Sequence, residues 1–527
     1  MIRLGKIGSG AYGTVYNGKT SKDDKKEIAV KKNLIDSDVS FSGSIKEMDL
    51  LNRLRGHPYI VKLLSVSFGN PFTTPNSPII DKKGFSSRED YLHFVFEKAE
   101  KNLHNLIYER EIHVSYLKLA MLQILLSVEY MHSKGVIHRD IKPANLLWFV
   151  EKNKGCVKIC DFGLSKIKCF QEPSSPRVVT CWYRAPEICS RDPRYSYASD
   201  MWSVGCVIYE MISKQALLLG YKDDDNKILS KLIELVPDKD KEYIQILTKN
   251  KKLINNKNHK SWKKMINLSK KDIDDFDKYP GDSANYENYL DLIEKILVLN
   301  PDKRLTATEA LAHPFFKPYQ SIIEWCRENY NPVPKEPPIL KIIECKERKW
   351  ATKLAFIVFN DRGNLEWYNH RVLFQSIDMF DRYILFLEKE VSEGKREVKL
   401  ESDYCGKYLA RYDTQLRYIV CLYMCIKYFT TLSAPISFTE LATDEYKTPK
   451  AMIEAEDFEQ RMLRDVLRFK IYRETLYEAI DKTCDENGQM KILSERNIRD
   501  LILAYGTLKS REIGLYELLD ELILTIL

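Results

Sequence analysis

The sequence predicts two unlike regions, an α+β region over residues 1–316 and an all-α helical region over residues 342–527. Three observations predict this. Short strand-like runs such as Glu27-Ile-Ala-Val-Lys31 lie near the N-terminus and give way to long helical patterns before residue 316. Pro332, Pro334, Pro337 and Pro338 cluster within residues 317–341, which read as an extended linker. Beyond the linker the periodicity is helical and strand signals are few. A chain of 527 residues is also too long for one ordinary core.

Composition narrows the class. Hydrophobic residues make up 44% and charged residues 30%, the balance of a globular chain rather than a disordered one. Lys and Arg exceed Asp and Glu by 82 − 75 = +7, too mild over this length to argue for nucleic acid. The first residues lack the apolar run of a signal peptide. The most apolar stretch, Ile419 to Ile426, is far short of the ~20 residues that span a bilayer. Twelve cysteines are scattered with no paired spacing, as expected of a reduced intracellular protein, cytoplasmic or nuclear. Cys421 and Cys425 lie in an apolar run without a His partner, so no metal is expected there.

The first element with chemistry is Gly8-Ser-Gly10-Ala-Tyr-Gly13-Thr-Val15. Glycines at this spacing let backbone amides approach phosphate oxygens. Alone the pattern fits any tight hairpin. A dinucleotide-binding fold would follow it with a helix, whereas here β-like residues follow, so a hairpin lying over a nucleotide is the better reading. Next, Ala29 and Lys31 share one strand face, where a small residue can roof a base while the amine reaches phosphates. Ile45-Lys46-Glu47 opens a helical pattern from which Glu47 can pair Lys31.

His138-Arg139-Asp140-Ile-Lys142-Pro-Ala-Asn145 is the strongest element. It places a carboxylate, an amine and an amide within eight residues, and Val157-Lys-Ile159 then leads to Asp161-Phe162-Gly163. Two acids, an amide and a lysine suit phosphoryl transfer. Asp140 would orient the attacking hydroxyl and take its proton, Asn145 and Asp161 would hold Mg²⁺, and Lys142 would balance charge on the moving group.

With these residues in hand, residues 1–316 resemble a eukaryotic-type protein kinase nearly end to end. Cys181-Trp-Tyr-Arg184-Ala-Pro186-Glu187 is similar to the segment closing the family's activation loop. Asp200 to Gly205 resembles its central helix, and Arg304 resembles the arginine that pairs with Glu187. The resemblance implies a bilobal fold, with a small β-rich N-lobe over about 1–98, a larger helical C-lobe over about 99–316, and ATP between them. It also implies a nucleotide site lined by Ile7, Gly8, Gly10, Gly13, Val15, Ala29, Lys31, Glu47, Phe96, Glu97, Ala99 and Leu147. In it the Glu97 carbonyl and Ala99 amide face adenine, and Phe96 stands behind.

Ser44-Ile-Lys46-Glu47, Val178 to Arg184 and Leu311 to Phe316 are similar to the cyclin-dependent kinases in particular. That resemblance implies Ser/Thr substrates with a following proline. It departs at Lys46 and Lys166, where the family has arginine to gather a phosphorylated loop. Lysine pairs phosphate as a point charge without the planar fork. Ser175, with Ser174 beside it, stands at the acceptor position. Tyr12 stands at an inhibitory one, with Ala11 as its neighbour.

Residues 70–90 read as a surface loop. Residues 249–271, rich in Lys and Asn, read as a solvated loop rather than a nucleic-acid patch. In the C-terminal region the run Tyr418–Ile426 is apolar around every helical face and must be buried by neighbours. Candidate helices lie at about 349–359, 368–389, 436–442, 450–468 and 492–505. The region resembles a cyclin box more loosely, through Ser376 to Tyr383 with its Asp381-Arg382 pair, Cys421 to Tyr428 with Lys427, and Glu459, Leu463, Val466 and Phe469. An unrelated helical tail stays open.

The expected partners are protein substrates and the chain's own cyclin-like domain in cis, or a cyclin in trans. No nucleic acid and no membrane is expected, and the cofactors are ATP and Mg²⁺. A pseudokinase scaffold, and a nucleic-acid-associated regulator acting through 249–271, remain alternatives.

Overall fold

A computed structural model describes residues 2–10, 13–20, 26–34, 38–68, 91–109, 114–151, 154–167, 181–190, 196–220, 224–235, 243–244, 247, 262–266, 268–277, 285–330, 339–342, 351, 370–394, 411–429, 448–462, 466 and 511–514. The chain divides into two compact units, residues 1–332 and 333–527.

The first unit begins with a five-stranded antiparallel sheet in the order β1-β2-β3-β5-β4. Its strands are β1 (Ile2–Gly10), β2 (Gly13–Lys19), β3 (Glu27–Leu34), β4 (Leu63–Phe68) and β5 (Tyr91–Glu97). Alternation sorts its faces. Ile28 and Val30 on β3 join Val95 in a buried cluster, while Ala29 and Lys31 point the other way. The β1–β2 hairpin narrows to Gly10 opposite Gly13. Gly13 has φ 148°, and a Cβ there would lie 2.3 Å from the Lys32 carbonyl oxygen, so only glycine fits. Helix α1 (Asp38–Arg53) follows β3, and Ile45, Met48 and Leu51 at helical spacing bury its inner face.

The rest of the unit is mostly helical, as the sequence order predicts. Asn102 closes β6 (Lys101–Asn102), and its side-chain oxygen caps α2 (Leu103–Tyr108) by accepting from Asn105 N–H at 2.9 Å. Helix α3 (Val114–Ser133) leads to β7 (Val136–Ile137), β8 (Leu146–Glu151), β9 (Lys154–Ile159) and β10 (Lys166–Ile167). These form two small sheets, β6-β8-β9 and β7-β10. Then come α4 (Pro186–Cys189), α5 (Tyr197–Ser213), α6 (Asp225–Leu235), α7 (Trp262–Ile266), α8 (Lys270–Asp277), α9 (Asn285–Ile296), α10 (Ala307–Leu311) and α11 (Gln320–Tyr330). Helix α5 is buried from Ser199 to Ile212 and forms the axis of this half. At Gly205 a Cβ would come 2.7 Å from Ile296 and Leu297, so glycine lets α9 close on α5.

Two expectations need correction here. The segment expected as an extended linker from residue 317 is helical to residue 330, as a 3₁₀ turn (Pro314–Tyr319) followed by α11. Ile323 and Cys326, one turn apart, bury a stripe of α11, and the proline cluster begins only after it. Within the range 249–271 expected as a solvated loop, residues 262–266 form α7 and Lys270 opens α8, and Trp262 is buried with its ring 6.0 Å from that of Tyr209. One aromatic side chain outweighs the lysines beside it. Residues 70–90, Ala11, Tyr12, and the Ser174, Ser175, Val178 and Thr180 positions lie outside the described residues.

The second unit contains α12 (His370–Ser392), α13 (Arg411–Phe429) and α14 (Pro449–Arg461), with a short antiparallel pair, β11 (Ile339–Ile342) and β12 (Arg511–Gly514). The pair departs from the expected all-α composition. Four-residue strands so distant in sequence leave no local periodicity to read. Tyr418–Ile426 is buried throughout, as its apolar faces require. Ser376 and Tyr418 hydroxyls meet at 2.9 Å, and the Arg417 guanidinium covers the Phe458 ring at 4.6 Å. Arg382 pairs with Asp378 at 2.9 Å, and Glu459 is buried. The expected helices at 436–442 and 492–505, nearly all of 349–359, and residues Leu463 and Phe469 lie outside the described residues. No described helix is long and apolar enough to cross a membrane.

Candidate active site

Elements far apart in sequence bring the charged residues of the first unit together. Strand β3 presents Lys31 and α1 presents Glu47, and the ammonium lies 2.7 and 2.8 Å from the two carboxylate oxygens. The same nitrogen lies 3.0 Å from Asp161 Oδ1. Burial works against the Lys31 charge, but the two carboxylates outweigh it and raise its pKa. Burial likewise pushes the Asp161 carboxyl up, and the Lys31 ammonium more than reverses this, holding it below the usual carboxylate range.

The 138–145 loop is built on an aspartate behind it. Asp200 on α5 accepts from the backbone N–H of His138 and of Arg139, both at 2.8 Å, and from His132 at 3.0 Å. These bonds hold Arg139 at φ 66°, a left-handed conformation that a long side chain rarely adopts unaided. Asp161 shares that conformation at φ 64°. Arg139 Nε donates to the Leu164 carbonyl at 2.6 Å, and His138 Nε2 lies 3.0 Å from the Cys160 carbonyl. The loop is thus tied on two sides to the segment carrying Asp161.

Within that frame Lys142 Nζ donates to Asp140 Oδ2 at 2.7 Å. Asn145 Nδ2 donates to the Asp140 carbonyl at 2.8 Å and to its Oδ2 at 3.0 Å. Cys160 N–H donates to the Asn145 carbonyl at 2.9 Å, which places Asn145 beside the residue preceding Asp161. Asp140 and Asn145 are buried, and Phe162 is fully buried with its ring 5.2 Å from that of His138.

The expected nucleotide-lining residues fall on neighbouring strands. Ile7, Gly8 and Gly10 are on β1, Gly13 and Val15 on β2, Ala29 on β3, and Phe96 and Glu97 at the end of β5. Val15 pairs with Lys31 and Ala29 with Phe96, so one face of the sheet carries them side by side. Leu147 sits on β8 opposite Lys158 of β9. Ile7 is 54% exposed, an apolar side chain left open on the glycine-rich strand. Ala99 lies between β5 and β6.

Sequence reasoning missed one residue of this set. Lys158 Nζ lies 3.0 and 3.2 Å from the Glu97 carboxylate oxygens, and Lys62 N–H donates to the same carboxylate at 2.8 Å. A lysine between the buried Val157 and Ile159, on the opposite strand face, was the available signal.

The arrangement can hold a hard cation. Both side-chain bonds of Asn145 use Nδ2, which leaves Oδ1 as its acceptor, and Asp161 supplies a carboxylate. Mg²⁺ takes one or two such protein oxygens and completes its shell with phosphates and water, so these residues fit it.

Residues 1–316 match the family profile described as protein kinase domain. The chain is 34% identical over 339 residues to extracellular signal-regulated kinase 2 of Dictyostelium discoideum, covering 61% of this chain and 80% of that protein. It is 35% identical over 327 residues to probable cyclin-dependent kinase 8 of the same organism, covering 59% and 79%. It is 31% identical over 363 residues to mitogen-activated protein kinase 13 of Arabidopsis thaliana, covering 66% and 89%.

Proposed function

This chain belongs to the protein kinase family, and we propose that it is a Mg²⁺-dependent Ser/Thr kinase in which Asp140 receives the proton of the substrate hydroxyl. Its relatives include both cyclin-dependent and mitogen-activated kinases. The observation that carries the assignment is the paired bonding of Asp140 Oδ2, to Lys142 at 2.7 Å and to Asn145 at 3.0 Å. Two donors on one oxygen fix the carboxylate in place for an incoming hydroxyl.

Each residue then has a part. Lys31, held by Glu47, reaches the α- and β-phosphates of ATP. Asn145 Oδ1 and Asp161 would hold Mg²⁺, which would supply positive charge to offset that of the phosphates. Lys142, already on Asp140, offsets the negative charge that gathers on the transferred group. Ile7, Val15, Ala29 and Leu147 enclose the adenine, and the Glu97 carbonyl and Ala99 N–H recognise its edge. The γ-phosphate passes to a Ser or Thr oxygen, and the hydroxyl proton leaves on Asp140. A proline after the target residue is the preferred context.

The test is transfer from γ-labelled ATP to a mixed Ser/Thr peptide library. Asp140→Asn should abolish transfer while a fluorescent ADP analogue still binds. Retained transfer by that variant overturns the assignment.

Residues 342–527 act in this reading as a cyclin-like activator in cis, with a cyclin in trans as the alternative. The resemblance of α12 to α14 to a cyclin box and the cyclin-dependent relatives support it. Attachment through one chain gives an effective concentration of about mM scale. Equal turnover by the full chain and by residues 1–332 rejects activation in cis.

A further inference from the structure

Helix α11 lies beyond the span that matches the kinase family, which ends at residue 316, yet it packs against the elements that set the position of Glu47. The contacts form a continuous series. Arg327 grips Glu129 of α3 with three contacts, Nε at 3.1 and 3.2 Å and a terminal nitrogen at 2.6 Å. Three residues on, the Tyr330 ring meets His57 edge-on with centroids 5.7 Å apart. His57 in turn stacks on Tyr130 of α3 at 4.5 Å. It stands in the turn that follows α1, and Arg53, the last residue of α1, donates from Nε to the Lys134 carbonyl just past α3 at 3.0 Å. The C-terminal ends of α1 and α3 are thereby joined, and α11 closes over the joint. Burial keeps the His57 imidazole neutral, so it acts as an aromatic plate between two tyrosines.

We propose that α11 is a positioning clamp for catalysis, in which Arg327 and Tyr330 hold the His57 turn against α3 and so hold α1 where Glu47 meets Lys31. A helix is a rigid lever, so fixing its C-terminal end fixes the glutamate two turns away. Arg327 and Tyr330 touch none of the reacting groups and act only through His57 and α1.

The kinetic arm of the test rests on the kinase reading, and the exchange arm does not. In the full chain, Tyr330→Ala and Arg327→Gln are compared with wild type by hydrogen exchange over residues 45–54, with residues 201–212 of α5 as internal reference. Release of α1 should speed exchange at 45–54 about tenfold over the reference. It should also lower kcat about fivefold with the peptide KM unchanged, as expected when a positioning contact is lost. Tyr330→Phe and Arg327→Lys should restore both. Arg327 is 36% exposed at its side chain, so its variant keeps the test open if Tyr330→Ala fails to fold. Exchange at 45–54 that matches wild type overturns the clamp, as does faster exchange with unchanged kcat. Wild type that transfers no phosphate rejects the kinase reading, while exchange still decides the clamp.

Discussion

Lys158 and Glu97 form an ion pair that ties the end of β5, where adenine is expected to bind, to the strand leading into Asp161. Their side chains are 9% and 18% exposed, and the Lys158 ammonium also lies 4.6 Å from the Phe149 ring centroid. Lys158→Met leaves the Glu97 carboxylate with only the Lys62 N–H among these contacts, and so frees the segment whose backbone is proposed to recognise the base. We predict a KM for ATP raised about 5–10-fold with kcat within about twofold, since the contact orients substrate rather than the transition state. Lys158→Arg should restore it. Steady-state kinetics with ATP varied is the measurement, and an unchanged KM contradicts the role.

Acid should weaken the fold through His57. Burial lowers its pKa to about 3, whereas the unfolded imidazole takes up a proton near ~6.5. The folded value is depressed, so the stability is fully present above the unfolded value and is lost as pH falls below it. Between pH 7 and pH 5 the loss from this group is about 2 kcal/mol. Urea unfolding at the two pH values measures it. His57→Phe keeps a ring in the stack and should flatten the difference, and an equal slope in both proteins rules His57 out.

The chemistry was far more legible in the sequence than the frame that aims it. Asp140, Lys142, Asn145 and Asp161 announce themselves by spacing, because one loop and one strand end carry them. Glu47 could be matched to Lys31 because a helix pattern and a strand pattern each fixed a face. The Lys158–Glu97 pair and the His57–Tyr330 contact could not be found this way. Each joins residues distant in sequence; a strand pattern can single out Lys158 but not its partner, and only the fold makes them neighbours. Helix α11 was hidden by the proline cluster after it, which drew the expected linker backward over residues whose apolar stripe is only Ile323 and Cys326. Strands β11 and β12 escaped because four residues are too few for a period.

Arg304 and Glu187 form a two-armed pair at 3.0 and 3.1 Å, with side chains 0% and 5% exposed. Arg304 also donates to the carbonyls of Val298 and Ala198, so its charge is enclosed by acceptors. Glu187→Gln removes the compensating charge and leaves the guanidinium buried. Breaking a buried pair from one side costs about 3–5 kcal/mol. The urea midpoint should fall accordingly, and a change under about 1 kcal/mol would show that the site admits water and screens the charge.

Asn145 is predicted to do two separable things, and two substitutions divide them. Its Nδ2 donates to Asp140, and its Oδ1 is the amide oxygen proposed for the cation. Asn145→Ala removes both, so the Mg²⁺ concentration for half-maximal rate should rise about tenfold and kcat fall about 100-fold. Asn145→Asp restores an oxygen donor but cannot donate to Asp140, and it sets a second negative charge beside that carboxylate. Its Mg²⁺ dependence should return toward wild type while kcat stays low, because the loose carboxylate no longer meets the hydroxyl. Measuring rate against Mg²⁺ for the three proteins separates the effects. If Asn145→Asp recovers kcat together with its Mg²⁺ dependence, then the bond to Asp140 contributes nothing to transfer, and metal binding alone accounts for the residue.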